Sequence, residues 1–283
     1  MRDAALALVA GIDDPSRRLN LLREYVQAFA LRSLHESEAF AAVAFVGGTA
    51  LRFLENIPRF SENLDLSVID EGRYAPERWL GKLRRDLELA GFDCGVTLNR
   101  RRTVHVGWLR VAGLLAAAGL AQREEHKLAV KIEIDTRPPA GADVVRTVVH
   151  RHLTFALAHY APSSLMAGKV HALITRPYPK GRDWYDLLWF LAHRPPLSPK
   201  LDLLQNALDQ TRGEGRLDAA RWRDHLLDKL EDLDVAALAR ELRVFLERPA
   251  DSDLLTRENL RAVLLGSRKE NGERNPGQRG LLD

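Results

Sequence analysis

The sequence predicts an α+β protein whose second half is wholly helical, and three observations carry the prediction. Up to about residue 150, apolar runs short enough for strands alternate with stretches of helical periodicity. Two of those runs, residues 63–69 and 128–135, alternate apolar and polar side chains strictly, as a strand with one wet face does. From Pro162 onward the apolar residues recur only at three- and four-residue steps.

Taken in order, Leu19, Leu22, Tyr25, Val26, Phe29 and Ala30 place an amphipathic helix over residues 16–34. Residues 41–46 form a short strand closed by Gly47-Gly48, and residues 49–54 resume helical spacing. In the next strand Leu64, Leu66 and Val68 share one face, and Asn63, Asp65 and Ser67 the other. A helix over residues 76–90 leads to a hairpin, 92–98 and 103–111, around the basic turn Asn99-Arg100-Arg101-Arg102. Residues 128–135 turn Leu128, Val130, Ile132 and Ile134 inward and Lys131, Glu133 and Asp135 outward, until Pro138-Pro139 stops the strand. Helices follow at 164–175, 183–192, 199–210, 219–232, 235–247 and 256–265. The division this implies is an α/β domain over 1–155, a helical domain over 156–266 and a mobile tail over 267–283, rich in charge and lacking apolar anchors.

Composition narrows the function classes. The 283 residues carry 42 Lys+Arg against 39 Asp+Glu, a net +3, with 46% hydrophobic and 29% charged residues, as in an ordinary soluble globule. One cysteine, Cys94, excludes an internal disulfide and a cysteine-built zinc site. No apolar run has the length of a bilayer span, so no membrane partner is expected and the chain reads as cytoplasmic. The small net charge neither demands nor excludes a nucleic-acid partner.

Three elements carry chemistry. Gly47-Gly48-Thr49, between a strand and a helix, suits a phosphate seat, because glycines admit a bulky anion and the helix start favours negative charge. A tight turn with Thr49 as N-cap explains the same residues. Asn63 and Asp65 point the same way on one strand and can share a hard cation through oxygen, with Glu133 of the other alternating strand a further ligand if the two strands are neighbours. The plainer alternative is that these charges mark the wet face of a sheet. Lys169 and Arg176 lie two helical turns apart on one face, and Lys180 and Arg182 follow in a turn, so a triphosphate is a natural common target. Asp183 and Asp186 either join that site or cap the next helix. Arg100, Arg101 and Arg102 suit RNA phosphates or a solvated turn.

Read in order, Phe45-Val-Gly-Gly-Thr-Ala-Leu-Arg52, Pro58-Arg-Phe-Ser-Glu-Asn-Leu-Asp-Leu-Ser67, Val130-Lys-Ile-Glu-Ile-Asp-Thr-Arg-Pro-Pro139, Ser164-Leu-Met-Ala-Gly-Lys-Val-His-Ala-Leu-Ile-Thr-Arg176 and Lys180-Gly-Arg-Asp-Trp-Tyr-Asp186 resemble the successive motifs of the AbiEii/AbiGii-type nucleotidyltransferase toxins. The resemblance spans residues 43–190, and the order of the motifs is more specific than any one of them. It implies a DNA-polymerase-β-like mixed sheet flanked by helices and joined to a helical domain. It also implies a toxin with a cognate antitoxin encoded nearby, active in phage defence, that transfers a nucleotide from an NTP to RNA such as tRNA and inhibits translation. On that pattern Gly47, Gly48 and Thr49 hold phosphates, Asp65 binds Mg²⁺ beside Asn63 and Glu133, with Lys131 or Asp135 on the same face the alternative neighbour to Glu133, and Lys169 meets the triphosphate with Arg176, Lys180 and Arg182. Asp183 or Asp186 completes the catalytic set.

The chain departs from the pattern at Asn63, where such enzymes most often begin an Asp-x-Asp pair. An amide offers a carbonyl ligand without charge, which predicts weaker metal binding and argues against two-metal chemistry. Two other functions fit the same residues: a degenerate fold that binds nucleotide or RNA without transfer, and an enzyme that modifies a protein acceptor.

Overall fold

The computed structural model describes residues 1–123, 125–193 and 197–272. Helices α1 (Arg2–Val9) and α2 (Pro15–Glu36) open the chain, α2 with Pro15 in its first turn and the Asp14 carboxylate accepting from the Ser16 amide at 2.9 Å. Strand β1 (Val43–Val46) runs into α3 (Gly47–Leu54), then β2 (Leu64–Val68), α4 (Pro76–Leu89), the hairpin β3 (Asp93–Asn99) and β4 (Val104–Ala112), the single turn α5 (Leu114–Ala117) and β5 (Leu128–Asp135). A second hairpin, β6 (Val144–Arg151) and β7 (Leu153–Tyr160), precedes the helices α6 (Pro162–Thr175), α7 (Gly181–Ala192), α8 (Leu201–Arg212), α9 (Trp222–Glu231), α10 (Val235–Leu242) and α11 (Arg257–Gly272).

The seven strands form one mixed sheet in the order β3-β4-β5-β2-β1-β7-β6. β2 pairs antiparallel with β1 and parallel with β5, while β1 pairs parallel with β7. The period-two patterns set the faces: Leu64, Leu66, Val130, Ile132 and Ile134 are buried, on the side that α2 covers. Asp65, Glu133 and Asp135 therefore point to the opposite side.

Two expectations need correction. The β6–β7 hairpin stands where the strand signal was read as ending, and a boundary at residue 155 cuts through β7. Most of β6 is an exposed edge and most of β7 is buried, so neither shows the in–out alternation that marks a half-buried strand. The buried apolar side chains form one cluster from α1 to α11. The tail expected from residue 267 begins inside α11, and residues 273–283 lie outside the described residues.

One buried charge cluster clamps α2 to the sheet. Glu24 on α2 pairs with Arg52 of α3 and with Arg151 and His152 of the β6–β7 turn, at 3.0 and 2.8 Å for the last two. Burial pushes its pKa up, but the His152, Arg52 and Arg151 contacts overcome that and bring it down to about 2. A carboxylate depressed in the fold gives stability that is complete above its unfolded pKa and is lost as pH falls through the folded value. Glu24→Gln should thus lose about 2–4 kcal/mol at pH 7, with the difference from the parent protein shrinking towards pH 2 in urea titrations across that range.

Candidate active site

A cleft of about 800 Å³ opens between the polar face of the sheet and helices α6 and α8. Its floor is made by register. Asp65 on β2 lies directly opposite Glu133 on the parallel neighbour β5, and opposite Val46, the last residue of β1. Glu133 accepts from Lys131 Nζ at 2.7 Å and from Asn63 Nδ2 at 3.2 Å. Burial, then the charge of Glu133, pushes the Asp65 carboxyl up to about 6. Asn63 thus turns its amide nitrogen to Glu133, and among the described residues no group of three or more His, Cys, Asp or Glu side chains forms a metal cage.

Gly47 and Gly48 line this cleft beside the acidic pair. Gly47 has φ +78°, and a Cβ there would fall 2.2 Å from Asp65 Oδ2. A Cβ on Gly48 would lie 2.7 Å from Arg59 Nη2. The glycines therefore admit two side chains of the site before they admit any ligand. Thr49 is the third residue of α3, fully buried, and its hydroxyl donates to the Asn63 carbonyl, so it does not cap the helix.

The opposite wall is an alternating chain of charges: Arg59, Asp186, Lys169, Asp183, Arg176. Arg59 Nε donates to Asp186 Oδ1 at 2.6 Å, and Lys169 Nζ lies 2.8 Å from Asp186 and 2.7 Å from Asp183. Arg176 closes the chain on the other oxygen of Asp183. Burial alone would lower the Lys169 pKa, but Asp183 and Asp186 overcome it and raise it. Burial likewise works against ionised Asp183, yet Lys169 and Arg176 hold its carboxyl at about 2, so it is a very weak proton acceptor.

Asp186, unlike Asp65, Lys169 and Asp183, does not line the cleft. It is fully buried under the cleft, with its two oxygens engaged by Arg59 and Lys169. Asp65, Glu133, Asn63, Lys169, Arg176, Lys180, Arg182 and Asp183 all line the cleft, and Arg182 is braced by Glu62 at 3.0 Å and by the Phe245 ring at 4.0 Å. Arg59 was the residue that sequence reasoning passed over. A lone arginine in a loop gives no periodic signal, and its partner is 127 positions away. The arginines of the β3–β4 turn do not line the cleft, and Arg100 pairs with Glu77.

A mixed sheet bearing paired carboxylates, a Gly-Gly helix start and a cationic wall defines a nucleotidyltransferase-like protein. The structure is similar to that of a candidate nucleotidyltransferase from H. pylori, with a TM-score of 0.54 and 18% identity over 88% of this chain and 95% of that one. At that identity the likeness concerns the fold. JHP933 from Helicobacter pylori is similar at a TM-score of 0.49 and 17% identity, over 89% of this chain and 92% of that one. No curated protein matches the sequence. Over residues 30–257 the sequence matches the nucleotidyl transferase AbiEii toxin family of type IV toxin–antitoxin systems, and the chain belongs to that family.

Two outcomes follow from the geometry. A carboxyl raised in the fold contributes stability that is present below its unfolded pKa and lost as pH rises through the folded value, so ionised Asp65 strains the protein above pH 6. Asp65→Asn should be the more stable protein at pH 8, by about 1–3 kcal/mol, and equal to the parent at pH 4, in thermal or urea unfolding. In the charge chain, Arg59→Ala and Asp186→Asn should each cost about 3–5 kcal/mol in urea unfolding, and Arg59→Met with Asp186→Leu less than the sum of the two.

Proposed function

We propose that the protein is a Mg²⁺-dependent nucleotidyltransferase toxin that moves a nucleotide from an NTP to an RNA acceptor, tRNA first among them, and so inhibits translation and growth until its antitoxin relieves it. The observation that supports this most is convergence: Gly47-Gly48, the Asp65–Glu133 pair and the cations Lys169, Arg176, Lys180 and Arg182 line one cleft although they are spread over 136 positions of the chain.

The donor set fits a hard cation carried in by the nucleotide. Two carboxylates side by side, one of them raised to about 6 by burial and by the other's charge, are relieved by a divalent ion. Asp65 and Glu133 would hold it, with phosphate oxygens and water filling the remaining positions; bound there, Mg²⁺ would neutralise charge on the phosphates. The α3 amides and Arg176, Lys180 and Arg182 would hold the polyphosphate in line. Lys169 stays committed to Asp183 and Asp186, and its part is to position those carboxylates and to keep the wall net positive.

In the reaction an acceptor hydroxyl oxygen bonds to the α-phosphorus, the α–β bridging P–O bond breaks, and pyrophosphate leaves with that electron pair. The hydroxyl proton passes to Glu133, because Asp186 is buried in its ion pairs and Asp183 is too weak a base. Catalysis is alignment and charge neutralisation.

Incubation of the protein with each α-labelled NTP, Mg²⁺ and total tRNA tests the reading. Label should enter RNA, and Asp65→Ala should reduce it by at least about a hundredfold while leaving the fold intact by circular dichroism. Nucleotide binding with no transfer would make the protein a binder, and label on polypeptide would replace RNA by a protein acceptor.

A further inference from the structure

The face that carries the acidic pair does not end at the cleft. Beyond Glu133 it continues through Lys131 to Trp108 and Arg110 on β4, whose even-numbered residues point outward while His105, Leu109 and Val111 are buried. Trp108 lies opposite Lys131, two residues before Glu133 on β5. Strands about 4.8 Å apart with a rise of about 3.3 Å per residue put the Trp108 backbone about 8 Å from that of Glu133 and about 12 Å from that of Asp65.

Trp108 is half-buried and flanked by cations: Arg110 Cζ is 5.1 Å and Lys131 Nζ 6.0 Å from the ring centre. On the outer side its cross-strand neighbour Thr97 and the next residue on that face, Gly95, are small and exposed, and a Cβ on Gly95 would meet nothing within 4 Å. The ring thus sits on a shallow, open shelf. At the tip of the same hairpin Arg101 and Arg102 are exposed and, like Arg110, form no ion pair among the described residues. An indole between cations is poorly explained as packing, because the buried face of the strand already supplies the core.

We infer that this shelf seats the acceptor: a single-stranded RNA end that stacks a base on Trp108, sets its phosphates against Arg110 and the hairpin arginines, and so delivers its terminal hydroxyl to Glu133. Base stacking on an aromatic tolerates any base, and cations beside the ring hold the backbone. The inference rests on the RNA-acceptor reading above and adds where the acceptor lies. It also separates the two substrates, with the nucleotide under α6 and α8 and the RNA on the uncovered continuation of the sheet, as attack opposite a leaving pyrophosphate requires.

Trp108→Phe and Trp108→Leu test it, with binding of a fluorescein-labelled single-stranded RNA and of total tRNA read by anisotropy, nucleotide binding read as thermal stabilisation by NTP with Mg²⁺, and label transfer measured in parallel. Trp108→Leu should weaken RNA binding about 5- to 100-fold, the size of one lost stack, while Trp108→Phe stays within about threefold of the parent and both keep the nucleotide response. RNA binding by Trp108→Leu equal to the parent, or by Trp108→Phe as weak as by Trp108→Leu, overturns the shelf. If label still enters RNA in that case, the transferase reading stands without it. If the parent binds RNA through Trp108 but transfers nothing, the shelf stands and transfer falls. A parent protein that binds NTP but no RNA overturns both.

Discussion

The alternating charges Arg59, Asp186, Lys169, Asp183 and Arg176 hold the cleft in shape. They join the loop before β2 to α6 and α7, and all but the half-exposed Arg176 do so almost out of water, where each ion is tolerable only because its neighbour is paired with it. Three cations against two anions leave one positive charge over, facing the acidic strands across the cleft. The arrangement does two things together: it fixes the helical half on the sheet, and it leaves the wall net positive.

The acidic side obeys the same constraint in reverse. Asp65 and Glu133 are brought together by strand register, and burial, with the charge of Glu133 added to it, outweighs the nearby cations, so Asp65 sits well above the usual aspartate range. Such a pair is a stability liability that a bound cation would remove. Gly47 and Gly48 are part of this economy of space, since a methyl group on either would collide with Asp65 or Arg59. The motif that first suggests phosphate binding is thus also the gap into which the two key side chains fit.

The strict alternation of residues 63–69 and 128–135 made β2 and β5 legible, with the correct face for Asp65 and Glu133, because a half-buried strand writes its burial into a period of two. The same rule hid β6 and β7, an exposed edge and a buried strand without alternation. The partners of Thr49 and Asp186 were hidden for a related reason. Polar side chains near a motif look functional in one dimension, whereas here the first is spent on the Asn63 carbonyl and the second on Arg59 and Lys169. Trp108 carried no signal at all, since an aromatic residue in a strand reads as core until its face is known.

The sequence by itself determined the fold class, the faces of the two acidic strands and the membership of a nucleotidyltransferase toxin family, because these rest on periodicity and on motifs local to the chain. Only the tertiary structure decided that β2 and β5 are neighbours, that Asp183 and Asp186 share Lys169 between Arg176 and Arg59, and that Arg59 underlies Gly48. Strand order and ion pairing across more than a hundred residues depend on which surfaces the shared core brings together, and no local pattern of residues encodes that choice.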